Sequence, residues 1–392
     1  MNTAQERLLK LLKNELFATG EAVALGQDAE QVFDEALVQT VALIVFSSDC
    51  DELSPQLQLR VKSALNPFLQ KNIAVNRGHL IIDEILRKSG IPYAIIKGLS
   101  SARFYPDYFM RLMGDVDFLV SKADFEKVDL LLHDNGFVTR KGERDHHITY
   151  DKDGVRYEMH LEPPGIPQNE AGEQLREYLA DTVETAQIIE GEFGEISVPD
   201  NFHHGLIILL HNLHHLTSDG LGLRHLCDWA VFINSLSADE FSQQFETVLK
   251  RTGLLRFARV MSLVCEENLG CKNVFQNPTK EEKILANDML ADIFSGGNFG
   301  QKNADRAHEH VLISLDNSNE SGIIKHLNKV VCSHWKIARK CKILLPFGWA
   351  FFSGRYVLRS ILGKRPKIRP QSIVSEAQKR KEFYKKLKLF KI

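Results

Sequence analysis

The sequence predicts an α+β protein in which a small mixed sheet is flanked by N-terminal and C-terminal helical regions. Three observations predict it. Residues 93–97, 115–120, 147–150 and 155–161 are short apolar-rich runs of strand type, the last of them alternating strictly. On either side, apolar residues recur at helical spacing over longer stretches. Glycine and proline punctuate the passage between the two regimes at Ser89-Gly90-Ile91-Pro92. With 392 residues, 44% hydrophobic and 26% charged, the chain can bury a sizeable core and divide into two or three domains. The expected divisions are a helical region over 1–78, the α/β core over 79–198, a helical lobe over 199–324 and a basic, aromatic-containing segment over 325–392.

The first helix is marked by the capping-box spacing of Thr3-Ala4-Gln5-Glu6, with Leu8, Leu9, Leu12 and Leu16 on one face. Residues 28–46 carry Val32, Phe33, Leu37, Val41, Ile44 and Val45, too many apolar residues for a surface helix. Helical patterns follow over 55–69 and 73–87, and none of these segments carries evident chemistry. After the strand at 115–120, Ser121-Lys122-Ala123-Asp124 caps a helix that Asn135-Gly136 ends. Residues 137–139 are extended, and 147–150 and 155–161 form a hairpin around a four-residue turn, Asp151-Lys152-Asp153-Gly154. Residues 163–199 read as connecting helix and loop. Helices resume near residue 200, over 205–216, 241–249, 254–269 and 280–294, before a glycine-rich loop at 295–303.

The chemistry centres on Gly114-Asp115-Val116-Asp117-Phe118-Leu119-Val120. Side chains alternate across a strand, so Asp115 and Asp117 share one face while Val116, Phe118 and Val120 share the other. Two carboxylates held that close repel each other unless a cation lies between them, which points to a divalent metal. Upstream, the strand at 93–97 ends in Lys97-Gly98, and Leu99-Ser100-Ser101 opens a helix. Free backbone N–H groups at such a turn suit an anion, and a triphosphate would fit. In the hairpin, Arg156, Glu158, His160 and Glu162 lie on one face, opposite Val155, Tyr157, Met159 and Leu161.

Lys97, Gly98, Arg111, Gly114, Asp115 and Asp117 resemble the motif of the DNA polymerase beta superfamily of nucleotidyltransferases. More closely, they are similar to a bacterial group of uncharacterised nucleotidyltransferases with Lys-Gly, then Arg, then Gly-Asp-x-Asp. The turn departs from the superfamily's usual Gly-Gly or Gly-Ser, because Leu99 follows Gly98 and serine comes one position late. The resemblance covers roughly residues 80–235 and implies a nucleotidyltransferase core that transfers a nucleoside monophosphate from an NTP, ATP foremost, using two Mg2+ ions. It implies a third carboxylate on a neighbouring strand, two residues before a histidine. Glu158 before His160 fits that position, and Glu162 is the other candidate. Lys97, Gly98, Ser100, Ser101, Arg111 and Gly114 are then the nucleotide-binding set, while Asp115, Asp117 and Glu158 are metal-binding and catalytic. Related sequences also show His-x3-His, then Gly-Leu-Arg, then Asp, matched here by His211 and His215, Gly222-Leu223-Arg224 and Asp228. His160, His211, Arg224 and Asp228 are carried as substrate-side or lobe-fastening positions. His211 and His215, at i and i+4, have metal-binding geometry, but no third ligand stands at a convincing spacing. The sequence alone therefore argues against zinc there.

The acceptor could be a sugar or polysaccharide precursor, a small molecule, RNA or a protein. The competing reading is a catalytically lapsed nucleotide-binding or scaffold protein, against which the three retained acids argue. Residues 325–392 carry 19 Lys and Arg against Glu376 and Glu382, whereas the whole chain sums to −2, so the body before them is strongly acidic. The apolar run at 343–352 is too short to span a bilayer. Its basic flanks suit an anionic membrane surface, RNA, or the chain's own acidic body. Six scattered cysteines without a CxxC pair, and no signal-peptide pattern, predict a cytoplasmic protein, with a peripheral place on the inner membrane face if the tail binds lipid.

Overall fold

The computed structural model describes residues 1–302 apart from 22, 48–52, 141–146 and 193, together with 328, 331–332, 335, 337–338, 341–361 and 370–391. Helices α1 (Thr3–Phe17), α2 (Ala29–Val38), α3 (Ala42–Phe46) and α4 (Pro55–Lys88) precede the first strand. Strands β1 (Tyr93–Ile95), β2 (Val116–Val120), β3 (Val138–Thr139), β4 (His147–Lys152) and β5 (Val155–His160) make a five-stranded mixed sheet in the order β1-β2-β5-β4-β3. Only β2 and β5 pair in parallel; the other neighbours are antiparallel. The short helix α5 (Leu99–Ala102) follows β1, and α6 (Phe125–Asp134) lies on the crossover from β2. The fold class is the α+β arrangement expected from the sequence.

The two faces of β2 are buried in different hydrophobic clusters. Val116, Phe118 and Val120 join Tyr157 and Met159 of β5, Val75, Ile82 and Leu86 of α4 and Val128 and Leu132 of α6. Leu119, on the face that carries Asp117, belongs to a cluster built from α1, α2, α3 and the later helices α8 (Asn201–Thr217), α9 (Leu223–Asn234), α10 (Ala238–Arg251), α11 (Leu255–Leu269) and α12 (Lys280–Gly296). The sheet's acidic face is thus roofed by the helical lobe, and the N-terminal helices share that lobe's core.

Local chemistry explains where the structure departs from the sequence pattern. The stretches at 55–69 and 73–87 are one 34-residue helix with Pro67 inside it. Proline removes one rung of the ladder at a cost of about 3 kcal/mol. Burial of Leu57, Val61 and Leu65 before it and Val75, Ile82 and Leu86 after it offsets that loss. The hairpin turn has two residues rather than four, since pairing continues to Lys152 and Val155. Asp153 and Gly154 both take positive φ, 50° and 77°, as the tight turn of a twisted hairpin requires. Residues 163–199 contain α7 (Glu170–Tyr178) and a second hairpin, β6 (Gln187–Gly191) with β7 (Gly194–Val198), where loop and helix were expected. Both β6 residues that could signal a core, Ile188 and Ile189, lie outside full burial, so the strand carries little apolar pattern.

Much of 325–340 and all of 362–369 lie outside the described residues. The described tail includes two long helices, α13 (Leu345–Ile361) and α14 (Pro370–Leu387). Phe383 and Leu387 of α14 are buried in the helical cluster. Arg380 of α14, also buried, donates to the Leu216 carbonyl at 3.0 Å. This end of the basic segment packs on the chain's own body, whereas Phe347 and Phe351 of α13 stay 66% and 50% exposed. Among the described residues no helix is long and apolar enough to cross a membrane.

Candidate active site

Parallel pairing of β2 with β5 sets Asp117 directly opposite Glu158, with Leu119 opposite His160. Asp115 stands just before the first paired residue of β2. Asp117 is 2% exposed, and one of its oxygens accepts both Lys97 Nζ at 2.7 Å and His160 Nε2 at 2.9 Å. His160 Nε2 is also 3.6 Å from the Glu158 carboxylate, and one ligating atom each from Asp117, Glu158 and His160 lies within 4.8 Å of the others. The His147 ring stacks on His160 with centroids 5.3 Å apart. With His160 Nε2 donating to Asp117, the oxygens of Asp117 and Glu158 are the cluster's donors that a hard dication prefers. Glu162, the alternative third acid, is bound instead by Arg176 Nε of α7 at 2.8 Å.

The three acids differ in their proton affinity. Burial and the Asp117 charge push the Asp115 carboxyl up to about 6. Burial, with Asp117 and then Asp115 beside it, pushes Glu158 up to about 7. Burial would raise Asp117 too, but the Lys97 ammonium and the His160 hydrogen bond hold it well below the usual carboxylate range. Burial keeps His160 below the ordinary imidazole value despite Asp117. One fixed anion beside two acids that resist ionising is a donor set with unmet demand for positive charge.

Gly98 turns the chain between β1 and α5 with φ 57° and ψ −117°. A Cβ there would collide with the His79 ring of α4 at Nε2. His79 is buried, and its Nδ1 faces the Val75 carbonyl at 2.9 Å, so the ring cannot easily withdraw. Gly98→Ala should therefore disrupt the turn that positions Lys97, with a fall in thermal midpoint and in nucleotide binding, whereas Gly114→Ala, where a Cβ would meet nothing within 4 Å, should fold normally. Equal midpoints for the two variants would contradict this. Ser100 and Ser101 are both buried; Ser100 Oγ meets His204 Nδ1 at 3.1 Å, and Ser101 Oγ has no partner among the described residues.

The loop that delivers Asp115 is fastened from two sides. Asn72 of α4 donates to the carbonyls of Phe109 and Arg111 and accepts the Met113 amide at 2.8 Å. Arg111, expected to hold triphosphate charge, is 5% exposed and makes a bidentate pair with Asp228 of α9, at 2.6 and 2.8 Å. Tyr105 donates to the same carboxylate at 2.7 Å. Arg224 of α9 donates to the Leu112 carbonyl at 2.9 Å. Arg224 and Asp228 therefore tie the lobe to the acidic loop, while His211 sits with His215 and with His225, which the sequence pattern did not single out. Asn72 and His79 were also missed. Their signal was two polar residues within a stripe of Val75, Ile82 and Leu86 on the buried side of α4.

A search of solved structures finds similarity to an antigenic nucleotidyltransferase-like protein from Paracoccidioides brasiliensis, at 18% identity and a TM-score of 0.33, over 54% of this chain and 98% of that one. No curated protein sequence matches the chain. Residues 27–270, more than half of the chain, match the model of a family described as uncharacterised nucleotidyltransferase, and the chain belongs to that family.

Proposed function

We propose that this chain is a metal-dependent nucleotidyltransferase of the DNA polymerase beta type, akin to the bacterial group noted above. It would move a nucleoside monophosphate from an NTP, ATP foremost, to an acceptor hydroxyl. The observation that carries the reading is Asp117 set opposite Glu158 across the paired β2 and β5, with His160 beside them and the Asp115 carboxyl interacting by charge with both acids. Oxygens of these three acids would hold divalent ions, Mg2+ by their hardness. Such ions neutralise the triphosphate and the departing pyrophosphate and make the acceptor oxygen easier to deprotonate.

The chain's own groups divide the remaining work. Glu158, held opposite Asp117 at the paired strands, is the carboxylate placed to take the acceptor's hydrogen. The acceptor oxygen bonds to the α-phosphorus, the bond to the β-phosphate oxygen breaks, and pyrophosphate leaves with its electron pair. Lys97 places a fixed positive charge on the Asp117 side of the cluster. The lobe over the acidic face keeps Asp117 out of water.

The test is labelling. Full-length protein in cell extract with Mg2+ should attach label from an α-labelled NTP to one acceptor class, and label from a γ-labelled NTP should appear only in pyrophosphate. Transfer of the γ-label to an acceptor would mean kinase chemistry. No transfer from either label, with no NTP-induced thermal shift, would favour the scaffold reading.

A further inference from the structure

We propose that His211, His215 and His225 form a second metal site, separate from the acids of β2 and β5 and selective for a zinc-like transition-metal ion over Mg2+. This inference does not rest on the nucleotidyltransferase reading. α8 carries His211 and His215 one turn apart, so their rings fall on the same side of the helix. The turn Gly220-Leu221-Gly222 leads into α9, whose first turn presents His225 to them. Ring centroids stand 4.4 Å apart for His211 and His215, 4.7 Å for His215 and His225, and 5.6 Å for His211 and His225. One nitrogen from each ring lies within 4.8 Å of the others. Zinc–nitrogen bonds of about 2.0–2.1 Å put two tetrahedral ligand atoms about 3.4 Å apart, so side-chain shifts of about an ångström close the site.

The hydrogen-bond ledger points the same way. Nδ1 of His211, Nδ1 of His215 and Nε2 of His225 are buried without a hydrogen-bond partner, and His225 is only 1% exposed. Buried polar nitrogens are ordinarily satisfied, and three orphans in one cluster call for a shared partner. Burial keeps each ring neutral, the state a ligand needs; His215 is pulled down to about 3. The Phe299 ring, 4.8 Å from His215 and 5.6 Å from His225, covers part of the cluster.

The choice of ion follows from the ligands and the field. Three imidazoles without a carboxylate suit zinc, cobalt, nickel or copper and offer a hard dication little. Lys97 and Arg224 add positive potential at all three histidines, with Lys97 acting on each, while Asp117 opposes them at His215. Charge alone would therefore not retain a cation here, and metal–imidazole bonding must carry the affinity. The Gly222 amide donates to His225 Nδ1 at 3.2 Å, which leaves Nε2 as the nitrogen open to a metal. Ligation through Nε2 shifts the ring proton to Nδ1, so the Gly222 amide contact must give way when a metal binds. Three protein ligands leave a fourth position open, the arrangement of zinc sites that also hold water or substrate.

The experiment is a cobalt and zinc titration of chelator-stripped full-length protein. One Co2+ per chain should bind at this site with a visible absorption band. Zn2+ should bleach the band, and a large excess of Mg2+ should not. His211→Asn and His225→Gln should each weaken binding by at least about 100-fold, beyond the 10–100-fold typical of groups that only support a ligand. Asp117→Asn should leave the band intact, which separates this site from the acidic one. No band and no retained zinc in folded wild-type protein would overturn the proposal, even if the histidine variants fail to fold. A band that survives both histidine variants, or that disappears with Asp117→Asn, would also overturn it.

Discussion

Asp117→Asn is expected to yield a folded protein whose Mg2+-dependent nucleotidyl transfer is lost by roughly 10^3-fold or more, the several kcal/mol that metal ions contribute to such reactions. It should also be less stable, because the charged form of Asp117 accepts Lys97 and His160. Its folded pKa lies below the unfolded one, so the stabilisation is present above the unfolded value near 4 and is lost as pH falls further. Asp115→Asn and Glu158→Gln should abolish transfer with the opposite effect on stability. Their carboxyls, pushed up to about 6 and about 7, bind protons more tightly when folded. Their ionisation therefore costs stability as pH climbs from about 4, and the whole cost is present above the folded values. Without metal at pH 8, each of these two variants should gain about 1–3 kcal/mol, and at pH 4 almost nothing. Mg2+ should raise the wild-type melting midpoint more at pH 8 than at pH 5. Glu162→Gln, which loses the Arg176 pair, should retain most transfer. Thermal melts over this pH range with and without Mg2+, beside transfer assays, measure every part. Transfer by Asp117→Asn, or metal-free destabilisation by both Asp115→Asn and Glu158→Gln at pH 8, would contradict the reading.

The parts of the site that were legible in the sequence are those written in local periodicity. The two-residue repeat placed Asp115 and Asp117 away from Val116 and Phe118, and the same repeat placed Glu158 with His160. Strand pairing is a long-range property, and the sequence alone could not show that Asp117 stands opposite Glu158 or that β2 and β5 run in parallel. The partner of Arg111 was illegible for the same reason. An arginine in a loop beside acids reads as free charge, and its commitment to Asp228 depends on α9 folding over the sheet. Zinc-type geometry at His211 and His215 was visible as an i, i+4 pair. Its third member, His225, comes from another helix and followed no spacing rule. Where tertiary packing overrode a local signal, as with Pro67 inside α4, the buried residues on both sides decided the outcome.

Asp228→Asn and Arg111→Ala should each cost about 3–5 kcal/mol of stability, the usual penalty for leaving one member of a buried ion pair without its partner. Both side chains are nearly excluded from water, at 5% exposure for Arg111 and 4% for Asp228. Burial alone would lower the Arg111 pKa, yet Asp228 outweighs it and the net shift is upward. In Asp228→Asn a single amide oxygen is left to accept from both Tyr105 and Arg111, where the carboxylate offered two. Arg111→Lys should recover little, because an ammonium cannot reproduce the two parallel bonds to Asp228. Replacing both residues with apolar ones of similar volume should restore much of the loss, since neither charge is then stranded. If instead Arg111 serves the triphosphate, Arg111→Lys would raise the KM for NTP at an unchanged melting midpoint, and Asp228→Asn would be nearly silent. The fastening role predicts that both single variants melt lower. It also predicts that any loss of transfer follows Asp228→Asn as closely as Arg111→Ala, because either change frees the loop that holds Asp115 against the lobe.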